Sequence, residues 1–226
     1  MSFLAYIPAR KNSIRVKNKN IINLRGKPLI TYTLLAAKKS KFINHIYISS
    51  DSKQVKKIAI KEGINFYNFR KKSLSGPGIT MHKLLLSESS IFKKKNFKFN
   101  YIVLLQPTSP LRTSQDIDNS CRLFLKNKNK ADCLVSTTSC YKDCDQTKIM
   151  YSDGKYLKST KKKKFKVKRL RNGPVLMILK KDKFKKSLLS GKILDFKMNK
   201  KKSIDINVYK DFDKVKKILK KNEKNN

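Results

Sequence analysis

The chain has 226 residues, 39 % of them hydrophobic, which suits one compact domain with a core of its own. Lys and Arg number 56 against 15 Asp and Glu, a formal net charge of +41. Such an excess is the electrostatic footprint of nucleic-acid binding, but the lysines are spread along the chain with no aromatic residues at recognition spacing, so nonspecific adhesion to polyanions is expected and a specific nucleic-acid partner is not. No stretch approaches the roughly 18 apolar residues of a membrane span, and the first apolar run is too short for a signal peptide; a cytoplasmic chain with no membrane partner is expected. In that reducing setting Cys121, Cys133, Cys140 and Cys144 read as free thiols. Cys140 and Cys144 are four apart, but no CxxC occurs and His45 and His82 fall in other elements.

In chain order, Phe3 to Ile7 is the short apolar run of a buried strand, ended by Pro8, which has no N–H for a sheet ladder. The stretch from Pro8 to Gly26 cannot be core. It carries Arg10, Lys11, Arg15, Lys17, Lys19 and Arg25, with Asn12, Ser13, Asn18 and Asn20 as neutral hydrogen-bonding groups, a composition suited to a polyanionic ligand. Leu29 to Lys39 resumes at helical spacing, which puts this loop at the carboxyl end of a strand, where open α/β sheets bind ligands.

His45 to Ser49 reads as a second strand, followed by a helix through Val55, Ile58 and Ala59, and Asn65 to Tyr67 as a short third one. A loop from Arg70 to Gly78 and a helix through Met81, Leu84, Leu85, Glu88 and Ile91 lead to Tyr101–Leu105, a continuous apolar run fit for the centre of a parallel sheet. Directly after it, QPTSPLRT contains two prolines that forbid helix and ladder, and should present Gln106, Thr108, Ser109 and Arg112 at the same edge as the first loop. Further on come a helix from near Ser114, a strand at Cys133–Thr137, a lysine-rich insertion at 138–171 holding a hairpin (Lys148 to Tyr151, Tyr156 to Ser159), and a strand at Val175–Leu179. Ser203 to Asn207 alternates like a strand, with Asp205 and Asn207 on one face, before a closing helix through Phe212, Val215, Ile218 and Leu219. The rhythm predicts an α/β fold with a doubly wound, mostly parallel sheet and a small insertion, in a single domain over 1–226.

IPAR at 7–10, Ser13, the Lys19-Asn20 pair and GKPL at 26–29 resemble the opening motif of the cytidylyltransferases that activate sialic acid and related nonulosonic acids. LLQPTSPLRT at 104–113 resembles that family's second motif, and Arg171-Asn172-Gly173 and SIDIN at 203–207 follow in the family's order. The resemblance spans nearly the whole chain. It implies a Rossmann-like, nucleotide-diphospho-sugar-transferase-like fold, a homodimer contacting through the insertion, and transfer of CMP from CTP to the anomeric hydroxyl of a nonulosonic acid, with release of pyrophosphate.

The roles it implies are catalysis for Arg10, Lys19 and Gln106; nucleotide binding for Arg10, Ser13, Lys19, Asn20 and Arg70; sugar binding for Gln106, Thr108, Ser109 and Asn172; and Mg²⁺ binding for Asp205 and Asn207. This chain departs from the pattern. Ile14 stands at the family's usual Lys, with Arg15 and Lys17 nearby to replace its charge. Asn207 replaces a second aspartate and brings no charge to a cation. Pro77 stands near a position usually acidic, and Asp145 and Gln146 stand about where His-Pro is common. Two further readings stay open: a catalytically weakened relative that binds nucleotide sugars or polyanions, and a nucleotidyltransferase of other base or sugar preference.

Overall fold

The computed structural model describes residues 1–13, 15–141, 145–171, 177–181, 187–189 and 191–223. The strands are β1 (Phe3–Pro8), β2 (Asn23–Leu24), β3 (Lys27–Pro28), β4 (Ile43–Ser49), β5 (Tyr101–Leu104), β6 (Cys133–Ser139), β7 (Ile149–Ser152), β8 (Tyr156–Lys158), β9 (Val167–Arg171), β10 (Met177–Lys180) and β11 (Ile193–Lys197). The helices are α1 (Leu29–Lys38), α2 (Lys53–Lys61), α3 (Met81–Lys94), α4 (Ser114–Lys126) and α5 (Tyr209–Glu223). None of the helices, among the described residues, is long and apolar enough to cross a membrane.

The apolar runs read from the sequence form the centre. β1 pairs in parallel with β4 on one side and β5 on the other. Because side chains alternate along a strand, β1 serves two layers. Phe3, Ala5 and Ile7 pack with Ile30 and Leu34 of α1, Val55 and Ala59 of α2, and Ile117 and Phe124 of α4. Leu4 and Tyr6 pack with Leu84, Leu85 and Phe92 of α3. A third apolar cluster joins the first loop to the closing helix through Val16, Leu24, Leu29, Ile206, Phe212 and Val215. Between Leu24 and Lys27 the chain reverses tightly at Arg25 and Gly26, both at positive φ (50° and 82°), the left-handed pair that a two-residue hairpin loop requires.

The sheet corrects one expectation. Its order is β11-β8-β7-β9-β6-β10-β5-β1-β4, and β6 also pairs with β11, so β6, β9, β7, β8 and β11 close into a five-stranded ring. Helices do cover both faces of the parallel part, but the sheet as a whole is mixed. Among the described residues, parallel strand pairing is confined to β4-β1-β5 and β6–β11, and every other strand pairing of this sheet is antiparallel. The reason is connection chemistry: a parallel neighbour needs a long crossover, usually a helix, and the described chain between β6 and β11 carries only short strands and turns. The hairpin expected in this region is β7 and β8, turned at Asp153, whose Oδ1 accepts from the backbone N–H of Lys155 (2.9 Å) and Tyr156 (2.7 Å).

Two expected strands are absent. Asn65–Tyr67 has no ladder, and the segment contributes only an isolated bridge between Ser50 and Phe69. Ser203–Asn207 is a 3-10 turn (Lys201–Ser203) followed by irregular backbone, fastened where Ile206 N–H donates to Thr108 O at 2.8 Å. Conversely, β9 and β11 were not foreseen. Residues 175–176 of the strand expected at Val175–Leu179, and Cys144, lie outside the described residues; Cys121 and Cys133 are buried thiols.

Side-chain caps open three helices: Ser52 begins α2, Thr80 α3 and Thr113 α4. Thr113 accepts from the Asp116 N–H, and Asp116 Oδ2 accepts from the Thr113 N–H at 2.9 Å, a reciprocal box that starts α4 and ends the QPTSPLRT loop. Thr113→Ala should cost about 1 kcal/mol, read as a lower urea midpoint at unchanged slope; an unchanged midpoint would mean that the box contributes nothing here.

Candidate functional site

Strands β1 and β5 run side by side in parallel, so the loops leaving their carboxyl ends meet at one edge of the sheet. A cavity of about 330 Å³ opens there, lined by Arg10, Ser13, Arg15, Lys19 and Asn20 from the first loop, Arg70, Leu74, Gly76 and Pro77 from the third, Gln106 and Thr108 from the second motif, and Asp205 and Asn207 from the last. Residues up to about 200 positions apart thus reach one pocket, as the sequence motifs lead one to expect.

Its walls are tied together. Ala9 N–H donates to Ser49 O at 2.8 Å and Lys11 N–H to Asp51 Oδ1 at 2.6 Å, fixing the start of the first loop. Asn20, buried, donates from Nδ2 to Arg10 O at 2.9 Å and so braces the backbone that carries Arg10. Among the described residues the Arg10 guanidinium itself has only a long contact, 3.5 Å, to Gly76 O. Lys19 donates from Nζ to Ile206 O at 2.7 Å, linking the first loop to the last segment. Burial holds the Lys19 ammonium below its ordinary pKa; Asp205 opposes that, while Arg15 and Arg10 reinforce it. A pocket this crowded with cations favours an incoming anion, whose charge would relieve the strain on all of them.

Arg70, almost fully buried, forms part of the cavity wall. Its Nε donates to Ser49 Oγ (2.9 Å) and its Nη2 to Ser49 O (2.6 Å); Ser49 Oγ donates to Glu88 Oε1 (2.9 Å), and Tyr6 OH donates to Glu88 Oε2. Burial raises the Glu88 carboxyl above its ordinary range, against the pull of its two hydrogen bonds and of Arg70.

Some expected residues are placed elsewhere. Ser109 is 1 % exposed and does not line the cavity. Consecutive turns through the two prolines (Ser109 N–H to Gln106 O and Arg112 N–H to Ser109 O, both 3.4 Å) leave its side chain packed inside rather than at the cavity wall. Arg112 is likewise turned inside rather than presented at the edge. It donates to Thr33 Oγ1 (2.7 Å) and to Gln106 O (3.3 Å), bracing the loop from behind, and burial pushes its guanidinium down to about 9. Asn172 lies outside the described residues. Missed by sequence reasoning as wall residues were Leu74, Gly76, Ile79 and Met81; nothing in their type marks them, since the helix stripe that holds Met81 reads as core.

For the magnesium expected at Asp205 and Asn207, the donor set fits in part. Asp205 Oδ1 is buried and has no hydrogen-bond partner among the described residues, a free carboxylate oxygen suited to a hard cation. Asn207 is different: its Oδ1 already accepts from Arg15 Nη2 at 2.7 Å and its Nδ2 donates to Asp205 Oδ2 at 3.0 Å, so its amide oxygen is engaged by a cationic side chain. Among the described residues no three His, Cys, Asp or Glu converge on a metal position. Asp205 and Asn207 also border a second cavity of about 520 Å³, lined among others by Lys148, Arg171, Lys200, Lys201 and Lys214.

A family model described as Cytidylyltransferase matches residues 4–226. The chain is 32 % identical over 159 residues to the Post-translational flagellin modification protein B of Campylobacter coli, covering 69 % of this chain and 66 % of that one. It is 34 % identical over 123 residues to the CMP-N,N'-diacetyllegionaminic acid synthase of Legionella pneumophila, covering 54 % and 53 %. It is 30 % identical over 130 residues to a Pseudaminic acid cytidylyltransferase of Campylobacter jejuni, covering 58 % and 56 %. The chain spans between half and two thirds of the length of these relatives. A solved structure of CMP:2-keto-3-deoxy-manno-octonic acid synthetase complexed with CTP superposes with a TM-score of 0.76 over 98 % of this chain and 100 % of that one, at 12 % identity, which is a likeness of fold.

Proposed function

We propose that this chain, which belongs to the cytidylyltransferase family, transfers CMP from CTP to the anomeric hydroxyl of a nonulosonic acid. The observation that carries the reading is the convergence of Arg10, Lys19, Gln106 and Asp205 on one cavity at the carboxyl edge of β1 and β5. The sugar hydroxyl oxygen attacks the α-phosphorus, the bond from that phosphorus to the bridging oxygen of the β-phosphate breaks, pyrophosphate departs, and the hydroxyl proton is lost. Catalysis of such a displacement is chiefly positioning and charge neutralisation.

Arg10 and Lys19 neutralise the triphosphate, and Ser13 and Asn20 supply neutral groups beside it. Arg70 steadies the nucleotide side of the cavity, while Gln106 and Thr108, with Asn172, orient the sugar. Asp205 would hold Mg²⁺ through its free Oδ1. Bound there, the ion would stabilise the leaving pyrophosphate and lower the pKa of the attacking hydroxyl. A homodimer contacting through 138–171 and a cytoplasmic location belong to the same proposal.

Crossing four nucleoside triphosphates with a panel of nonulosonic acids in a pyrophosphate-release assay tests it. CTP with Mg²⁺ and one or more of the acids should turn over. Release with another triphosphate alone would point to a nucleotidyltransferase of different base preference. No turnover with any pair, from well-folded protein, would favour the weakened, binding-only relative, a reading that the occupied Asn207 oxygen keeps in view.

A further inference from the structure

The contact between Arg15 and Asn207 joins the first loop to the last segment, and the orientation of the Asn207 amide is set from both ends. Its Nδ2 donates to Asp205 Oδ2 (3.0 Å) and to the Asp205 carbonyl (3.2 Å), and its Oδ1 accepts from Arg15 Nη2 (2.7 Å). The reverse orientation would set oxygen against carboxylate and NH₂ against guanidinium. The Asn207 backbone is fixed as well, since its N–H donates to Asp211 Oδ2 at 2.9 Å. On the next residues along each segment, Val16 and Ile206 are buried in the same apolar cluster, so the two strands of chain that carry Arg15 and Asn207 are packed together independently of the hydrogen bond.

A neutral amide, donor at one end and acceptor at the other, bridges a cation and an anion in this way. A carboxylate at 207 would stand beside that of Asp205, with Arg15 closing on it. Arg15 is exposed to solvent, lines the cavity and, among the described residues, has this one hydrogen bond, which leaves most of its five N–H donors for a ligand. We propose that Arg15, held in place by Asn207 Oδ1, is an anion-gripping residue of this cavity, giving the bound polyphosphate a fixed positive charge that does not depend on a divalent cation. Asn207 is then a positioning residue for Arg15 rather than a metal ligand. This inference rests on the reading of the cavity as a nucleoside triphosphate site.

The test is calorimetric binding of CTP in excess EDTA to the wild type, Arg15→Ala, Asn207→Ala and the double variant, with inorganic pyrophosphate and cytidine as separate probes. Arg15→Ala should weaken CTP and pyrophosphate by about 10-fold or more, the size of a lost charge-assisted hydrogen bond, and leave cytidine unchanged. Asn207→Ala should weaken them severalfold, and the double variant should be no worse than Arg15→Ala, because the two side chains act as one unit. Wild-type affinity in the Arg15→Ala protein, additive losses in the double variant, or CTP binding by the wild type only when Mg²⁺ is present would each overturn the inference while sparing the functional reading. A wild type that binds CTP under neither condition would overturn both.

Discussion

Arg10→Ala should lower the rate of pyrophosphate release by on the order of 10²-fold or more, the size expected for losing one preorganised electrostatic contact to charge that grows in the transition state, with the urea midpoint unchanged. The expectation comes from how differently the residue's two halves are held. Its backbone is pinned between the end of β1, where Ala9 bonds to Ser49, and the amide of Asn20. Among the described residues its side chain has only the 3.5 Å contact to Gly76 O to lose, so the described fold does not lean on it. A well-placed but unengaged guanidinium in a cavity of like charge is arranged for a ligand. An Arg10→Ala protein with full activity would show that the first loop binds no reacting phosphate.

Glu88→Ala should destabilise the protein by about 3 kcal/mol, the range for removing one member of a buried charged network. Glu88 is 2 % exposed, and its carboxylate takes hydrogen bonds from Tyr6 OH and Ser49 Oγ. Without it, both hydroxyls lose their acceptor in the interior, and the Arg70 guanidinium, anchored on Ser49, loses the nearby negative charge. Urea unfolding measures the cost; a loss under 1 kcal/mol would mean that water or a shift of α3 replaces the carboxylate.

The same residue gives a pH signature. Because burial raises its pKa in the folded chain, the folded state holds the proton more tightly than the unfolded one. The corresponding stability is fully present below the ordinary glutamate pKa and is lost as pH rises through the raised one. Glu88→Gln, which cannot titrate, should lack that part of the slope, and equal pH profiles for the two proteins would contradict it.

What was legible in the sequence was what local chemistry writes locally. The apolar runs of β1 and β5 and the loops that follow them read correctly because a buried parallel strand needs continuous apolar residues and its carboxyl end must be non-sheet. β9 was hidden because VKRLR has the look of a solvated basic run; in the fold Leu170 is buried and Arg169 pairs with Asp195 at 3.2 Å, an ion across the ring that has no sequence-local sign. The inward turn of Ser109 and Arg112 depended on the packing of α1 behind the loop, through Thr33. The pairing of Arg15 with Asn207 spans 192 residues, beyond anything that spacing can suggest.

The place of β10 in the sheet bears on how the chain reaches its fold during synthesis. β5 finds one neighbour, β1, already made, but its other edge is filled, among the described residues, by Met177–Lys180. At translation speeds of about 5–20 residues per second, that edge stays open for roughly 4 to 15 seconds after β5 has been made. All four residues of β5 are buried in the finished sheet, so the waiting edge is apolar and unpaired, the kind that recruits strands from other chains. The high density of lysine should keep nascent chains apart by mutual repulsion during that interval. Ribosome-bound chains stopped before Met177 should therefore aggregate far more readily in high salt than chains stopped beyond Lys197.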